Sequence, residues 1–583
     1  MLIQGLCDYY DILAKDHKVL PAEYSCVSIH YLVALDPEGR IDEIMEYRKK
    51  EAMPKRTERP GVFSSVIEHR PAYLFGLHVK EGRLTPDDSR GKIRKSHEIF
   101  VKTNLEFIQG IDTPPARAFA CFLKNWKPEE EQRNPWLLAL GRNFDRAGYV
   151  FCPSGMPEHL LHRDEKVKEK WENMYRREEA NGAFHYAQCA VSGRYEPIAR
   201  LHGKIRGVYG GMVSGNVMIG YNNPSEWSYG QKQSYNSNIS KKAMEKYTKA
   251  LNYLLAGSSH KAVLDDITVV FWALDGTEGY EDILHALLWG GSKLMDARQT
   301  ERMLEALFED AKKGTVLEER IKLPAGIRSD VDFYMIGIKP NMARLSLQFL
   351  YKSRFADILI HIAKFQKELK ISPTFRPVSF YRIKKELTVS KNNLHTISPL
   401  LISRLLESVL YGGDYPKVLL ETVVKRVKTD IRQEKINSVR AGIIKACLER
   451  NYREVIRMTL DRENRQPAYL CGRLFAVVEK LQQDSAPYLL NRTIREMYFA
   501  SACTKPASVF PTLLKMAQNY LGKAKYSIYY SKLIREIIDG LEGEFPDALL
   551  LKDQGRFIIG YYQQQEDFYQ KKKEKENGVE EPV

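Results

Sequence analysis

Residues 468–482 read AYLCGRLFAVVEKLQ, with Leu470, Leu474, Val477 and Leu481 at helical spacing. One apolar stripe of that period predicts a helix with one face in a core. The pattern extends outward. Leu400, Leu401, Leu405, Leu406 and Val409 repeat at the same period, and residues 398–564 carry almost no alternating, β-branched run. Gly412-Gly413, Pro467, Pro487, Pro506, Pro511 and Pro546 punctuate the stretch at helix-length intervals. Residues 396–583 are therefore expected to form an all-α helical bundle. The last residues, 570–583 (QKKKEKENGVEEPV), have nothing to bury and are expected to be a disordered tail.

Upstream the character changes. Residues 25–35 (SCVSIHYLVAL) alternate like a strand and run into the turn DPEGR. Residues 72–79, 266–274 (DITVVFWAL) and 331–338 (VDFYMIGI) are further strand candidates, the last ended by Lys339-Pro340-Asn341. Helical stretches at 97–108, 116–125 and 241–256 lie between them. Residues 1–380 are thus expected to form an α+β region with more than one sheet.

At 583 residues the chain needs more than one core. No apolar run reaches the roughly 18 residues of a membrane span, and the first residues do not read as a signal peptide. A cytoplasmic protein is expected. The eight cysteines are scattered with no CxxC pair, so neither a zinc site nor a disulfide scaffold is expected. Lys and Arg number 89 against 74 Asp and Glu, a net charge of +15 that suits a polyanionic partner.

Catalytic signatures do not emerge. P-loop, GxGxxG, HExxH and GxSxG patterns are all missing. His162-Arg163-Asp164 imitates a kinase catalytic loop without its downstream Asn. A metal-dependent nuclease with widely spaced ligands is the alternative reading. Residues 204–242 offer something different. Lys204, Arg206, Lys232, Lys241 and Lys242 oppose one acid, Glu226, with Tyr209, Tyr221, Trp227, Tyr229 and Tyr235 interleaved among glycines and amides. Cations meet phosphates, rings stack on bases and amides read base edges. Lys204, Arg206, Ser214, Asn216, Tyr229, Gln233 and Asn236 are the candidate nucleic-acid contacts. A second basic zone, 417–465, has thirteen Lys and Arg against seven Asp and Glu. Within it Lys425, Arg426, Lys428 and Arg432 can form a phosphate-contacting stripe, or a plain solvated helix face. A third cluster comprises Lys55, Arg56, Arg59, His69 and Arg70.

Three blocks, 333–346 (FYMIGIKPNMARLS), 468–482 and 552–563 (KDQGRFIIGYYQ), together with 200–211, 228–233, 251–255 and 268–273, resemble one family. It is the large subunit of the type I-C CRISPR surveillance complex (Cascade), of the Dvulg subtype. The resemblance implies a non-catalytic subunit with no cofactor or metal. It would read the protospacer-adjacent motif on duplex DNA, help open the duplex and stabilise the R-loop. Its implied partners are crRNA, double-stranded target DNA and the displaced strand, the Cascade backbone and guide-end subunits, small-subunit copies, and a separate helicase–nuclease whose recruitment it would support. Relatives often carry Asp-Asn before the strand matching 72–76, whereas this chain has Glu68-His69-Arg70-Pro71. His69 and Arg70 are accordingly the candidate motif readers. In the family the C-terminal part is also made alone as a small subunit. Met458 is the candidate internal start, giving residues 458–583.

Overall fold

The computed structural model describes all residues except 22, 56–61, 87–90, 182–184, 291–297, 301, 305, 307–322, 325, 374, 375, 392, 393, 397–399, 431–435, 487–491 and 577–583. The chain forms two compact units, one of residues 3–203 and 220–250, the other of 204–219 and 251–583.

The first unit opens with a helix, Leu2–Lys15, that buries Leu6, Tyr9, Tyr10 and Leu13. Strands β1 (Tyr24–Leu35) and β2 (Ile41–Pro54) pair antiparallel. Their turn is closed by Asp36, whose carboxylate accepts from the Arg40 N–H at 2.7 Å. After a small hairpin, β3 (His78–Lys80) and β4 (Arg83–Thr85), strand β5 (Tyr149–Pro153) joins β1 in parallel. The helices Lys92–Ile108 and Pro114–Asn125 supply Phe100, Phe107, Phe119 and Phe122 to one core with Phe75, Phe144, Tyr149 and Phe151. Many of these rings meet edge-on or tilted, with centroids 4.9–6.5 Å apart, the arrangement the ring quadrupole favours. A two-stranded ribbon, β6 (Tyr186–Gln188) and β7 (Tyr195–Pro197), follows.

Residues 72–79 were expected to be one strand. They begin inside a helical turn, Pro71–Leu74, and reach β3 only at His78. Pro71 sits at the first helical position after an extended Arg70 (φ −87°, ψ 134°), where the ring's fixed φ suits a helix start and its missing N–H costs nothing.

The second unit is built on a six-stranded sheet. Its strands are β8 (Lys204–Ile205), β9 (Asn216–Val217), β10 (Lys261–Leu264), β11 (Ile267–Ala273), β12 (Asp332–Asn341) and β13 (Arg344–Arg354), in the order β10-β11-β12-β13-β9-β8. All seven residues of β11 are buried, so this strand is covered on both faces. The strand at 331–338 runs further than expected, through Lys339-Pro340-Asn341, and turns at Met342 (φ 52°). Proline is tolerated there because β11 pairs only with residues 333–338 of β12, leaving one edge of the strand open at Pro340.

Helices Tyr280–Trp289, Phe355–Leu369 and Phe380–Leu387 pack on this sheet, and one hydrophobic cluster runs from Ala262 to Tyr562. It therefore crosses residues 380–396, where composition suggested a boundary. A short hairpin, β14 (Val389–Lys391) and β15 (Leu394–Thr396), lies in that interval. Beyond residue 400 the described residues are helical or irregular.

The helix Pro467–Ser485 buries the expected Leu470, Leu474, Val477 and Leu481, and also Cys471, Phe475, Val478 and Arg473. A helix buried on nearly every side lies inside its layer. It crosses the helix Leu551–Glu576 at bare backbone. A Cβ on Gly472 would sit 2.0 Å from the Phe557 carbonyl oxygen, and one on Gly560 2.2 Å from that of Tyr469. The second helix reaches Glu576, so residues 570–576, expected in a disordered tail, continue it. Residues 577–583 are outside the described residues.

Candidate nucleic-acid interface

In the first unit, His69 and Arg70 line a cleft of about 640 Å³ with His30, Tyr73, His78 and Arg146. The chain positions them through Glu68, whose side chain is 1% exposed. Its carboxylate takes two hydrogen bonds from the Arg70 guanidinium and one from the His69 N–H at 3.0 Å. Burial alone would raise the Glu68 pKa. The Arg70 hydrogen bonds and charge, with the His69 N–H, outweigh it and hold the carboxyl below its ordinary value. The guanidinium also lies 3.9 Å from the Tyr73 ring centroid. Arg70 is thus oriented by two partners, and its side chain remains 30% exposed. The His69 carbonyl accepts from the Tyr149 N–H at 2.9 Å, fixing the loop to β5. Among the other members of this cluster, Lys55 pairs with Glu245 at 2.5 Å, while Arg56 and Arg59 lie outside the described residues.

Residues 204–242 divide between the units. In the second, Lys204 lies on β8 and Arg206 just beyond it, both exposed. Their backbone is braced by Asn252, which accepts from the Arg206 N–H at 2.8 Å and donates to the Lys204 carbonyl at 2.9 Å. Gly215 (φ 90°) presses against them, since a Cβ there would meet the Ile205 oxygen at 2.9 Å and Lys204 Cβ at 3.0 Å. Ser214 is exposed in the intervening turn. Asn216 is different. It is 1% exposed, and its amide accepts from the Met212 N–H at 3.0 Å and donates to the Met342 carbonyl at 2.6 Å. It clamps the glycine loop to the β12–β13 turn rather than facing a ligand.

In the first unit, Tyr229 is fully exposed with a left-handed backbone (φ 51°). Asn236 holds that loop together, accepting from the Ser228 N–H and donating to the carbonyls of Gln231 and Gln233, each at 2.8 Å. The Gln233 side chain accepts from Arg200 Nε at 2.6 Å. Of the seven candidates, Lys204, Arg206, Ser214 and Tyr229 present themselves to solvent. Asn216, Gln233 and Asn236 shape the loops that carry them. Alternating polar and aromatic letters cannot distinguish the two roles, because which amides bind backbone depends on loop geometry.

The helix Lys417–Thr429 departs from its expectation. Lys425 is exposed. Arg426, 12% exposed, pairs with Asp430, which also holds Arg440 at 3.0 Å. Lys428 donates to Gln554 at 2.9 Å. Arg432 lies outside the described residues. What the sequence offers as one stripe is therefore, among the described residues, a single exposed cation beside two engaged ones.

His162 and Arg163 serve structure. Both bind Glu51, at 2.9 Å and 2.7 Å. Among the described residues, no group of three or more His, Cys, Asp or Glu side chains is placed to hold a metal ion, and no helix is long and apolar enough to cross a membrane. Met458 is half-exposed, in the segment between the helices Ser438–Tyr452 and Pro467–Ser485.

No curated protein matches the chain. The family model described as CRISPR-associated protein (Cas_Csd1) matches residues 6–569, nearly its whole length. The chain belongs to that family, the large subunits of type I-C Cascade.

Proposed function

We propose that the chain is a non-catalytic subunit that binds DNA within a crRNA-guided complex, acting in the cytoplasm. It reads the short motif beside the target on duplex DNA, supports duplex opening and R-loop formation, and leaves cutting to a separate helicase–nuclease. The observation that carries this reading is the pair Lys204 and Arg206, exposed on and just beyond an edge strand whose backbone is braced by Asn252 and packed against Gly215. Charges held in solvent on a rigid edge can neutralise phosphates without first breaking ion pairs. The His69–Arg70 cleft, with Arg70 preset by Glu68 and Tyr73, is the motif reader, since an oriented guanidinium suits a base edge in a groove. A product started at Met458 would keep the helices from Pro467 onward and supply the small subunit, without the helix Ser438–Tyr452 and those before it.

The test is DNA binding by the reconstituted guide-loaded complex, to targets differing only in the adjacent motif, across salt. Lys204→Glu/Arg206→Glu is expected to weaken binding to all targets and to make the salt slope shallower by roughly 1 per cation. Glu68→Gln/Arg70→Gln, which strands no buried carboxylate, and His69→Ala are expected to erode discrimination between motifs. Unchanged affinity, slope and discrimination in all three would leave a structural assembly role instead.

A further inference from the structure

The β6–β7 ribbon carries two large exposed rings. Tyr195 is 73% exposed and Tyr186 41%, and they stack on each other at 6.1 Å with 22° between planes. The register pairs Tyr186 with Pro197 and Gln188 with Tyr195. Side chains alternate along a strand, so Tyr186, Gln188, Tyr195 and Pro197 share one face. Ala187 pairs with Glu196, which puts the ribbon's acid on the opposite face, where it accepts from Ser192.

The ribbon is not a loose hairpin. Its turn closes through the Gly193 N–H to the Cys189 carbonyl and the Cys189 N–H to the Arg194 carbonyl. It is tied to residues 238–240 by the Ala190 N–H to Asn238, the Ala199 N–H to Ile239 and the Ile198–Ser240 bridge. Buried Cys189 adds a fourth tie, its sulfur accepting from the N–H groups of Val191, Ser192 and Ser240 at 3.3–3.5 Å. The loop bearing Tyr229 is fastened to the same piece by Arg200, whose carbonyl accepts from the Ser234 N–H and whose guanidinium donates to Gln233. Arg194, Arg200 and Lys232 are exposed here, and Glu196 is the only acid in residues 185–203 and 228–240.

We propose that this face is a stacking platform for the unpaired bases of the displaced DNA strand, a role that rests on the functional reading above. Rings stack on any base, and each such contact is worth about 1–3 kcal/mol. Neighbouring arginines serve the backbone phosphates. When guide RNA pairs with one DNA strand, the other strand is left with its base faces open, and that is the strand an aromatic platform without a base-edge code would take.

The test measures binding of the full chain to labelled oligothymidine, to a dA·dT duplex of equal length and to oligouridine. Tyr186→Ala/Tyr195→Ala is expected to lose roughly 10- to 100-fold on oligothymidine with duplex affinity unchanged. Tyr186→Phe/Tyr195→Phe should retain single-strand binding, because stacking needs the ring and not the hydroxyl. Both positions are surface ones, and matching melting curves for the variants would confirm intact folds. The inference is overturned if the alanine variant binds oligothymidine like the parent, if it loses equally on duplex, if the parent binds no single strand, or if the ring-dependent binding is to oligouridine alone. Motif discrimination in the assembled complex judges the functional reading separately, so either can fail without the other.

Discussion

Lys204 and Arg206 hold their charges in solvent at the end of a sheet, whereas Arg426 and Lys428, also in the second unit, are tied to Asp430 and Gln554. In sequence the two stretches look alike, and the second is the richer in cations. The difference lies in what folds against them. A short edge strand backed by glycines leaves Lys204 and Arg206 exposed, with no acid paired to them among the described residues. A helix packed against Ser438–Tyr452 and Leu551–Glu576 meets an acid four residues on, Asp430, and an amide brought from far along the chain, Gln554. Basic composition counts cations, while binding needs cations that remain unengaged after folding.

The sharpest way to break this comparison is at Arg440, 5% exposed and bonded to both Glu386 and Asp430. Arg440→Ala removes one of two cations from each acid, Asp430 keeping Arg426 and Glu386 keeping Arg382, and should lower unfolding stability by about 2–3 kcal/mol, read by denaturant titration. A loss below about 1 kcal/mol would mean the network is not what engages Arg426. Arg426→Ala should cost about 1–3 kcal/mol of stability while leaving the salt slope of DNA binding unmoved. A shallower slope would return this helix to the phosphate track.

Asn216→Ala tests the other region, since it removes the clamp between the glycine loop and the β12–β13 turn. A loss of about 1–2 kcal/mol in stability is expected, with weaker DNA binding that follows loop order rather than charge. Adding salt should then change the affinity of variant and parent in parallel.

The Glu51 cluster in the first unit extends the contrast to pH. Burial alone would raise its carboxyl, but hydrogen bonds from Arg163, His162 and Tyr47 bring it down to about 2 from an ordinary 4.5. A depressed carboxyl stabilises the fold above its unfolded value, so this contribution is present above about pH 4.5 and is lost as pH falls toward 2. Glu51→Gln should flatten stability in that window by about 1–2 kcal/mol, allowing for solvent screening. Smallest of all, Lys425→Ala should change stability by less than about 0.5 kcal/mol. A larger fall would show that the exposed lysine also has a partner.

Periodicity carried the fold a long way. The helix at 241–256 falls where its spacing placed it, and the expected strands at 25–35 and 266–274 appear as Tyr24–Leu35 and Ile267–Ala273. Those elements are long, and their apolar pattern is unbroken. Punctuation misled at Pro340, on an open strand edge, while the strand expected at 72–79 missed the helical turn that Pro71 opens. The core running across residues 380–396 was not legible, because a composition change marks where strands stop and not where packing does. For the candidate interface, the sequence located the basic and aromatic segment but could not sort exposed residues from clamps. The role of Glu68 in orienting Arg70 and the tyrosines at 186 and 195 escaped notice. The latter had a signal, two tyrosines flanking a Ser-Gly turn at the spacing of a short hairpin.

The meeting of Gly472 with Phe557, and of Gly560 with Tyr469, sets a limit on how this chain can diverge. Elsewhere in the C-terminal helices a leucine can become a methionine and its neighbours can shift to suit. At this seam backbone touches backbone, with no side chain to yield, so even one added methyl must push two helices apart. Descendants of this sequence can redraw the surface around the joint freely, while the joint itself admits almost no alternative spelling.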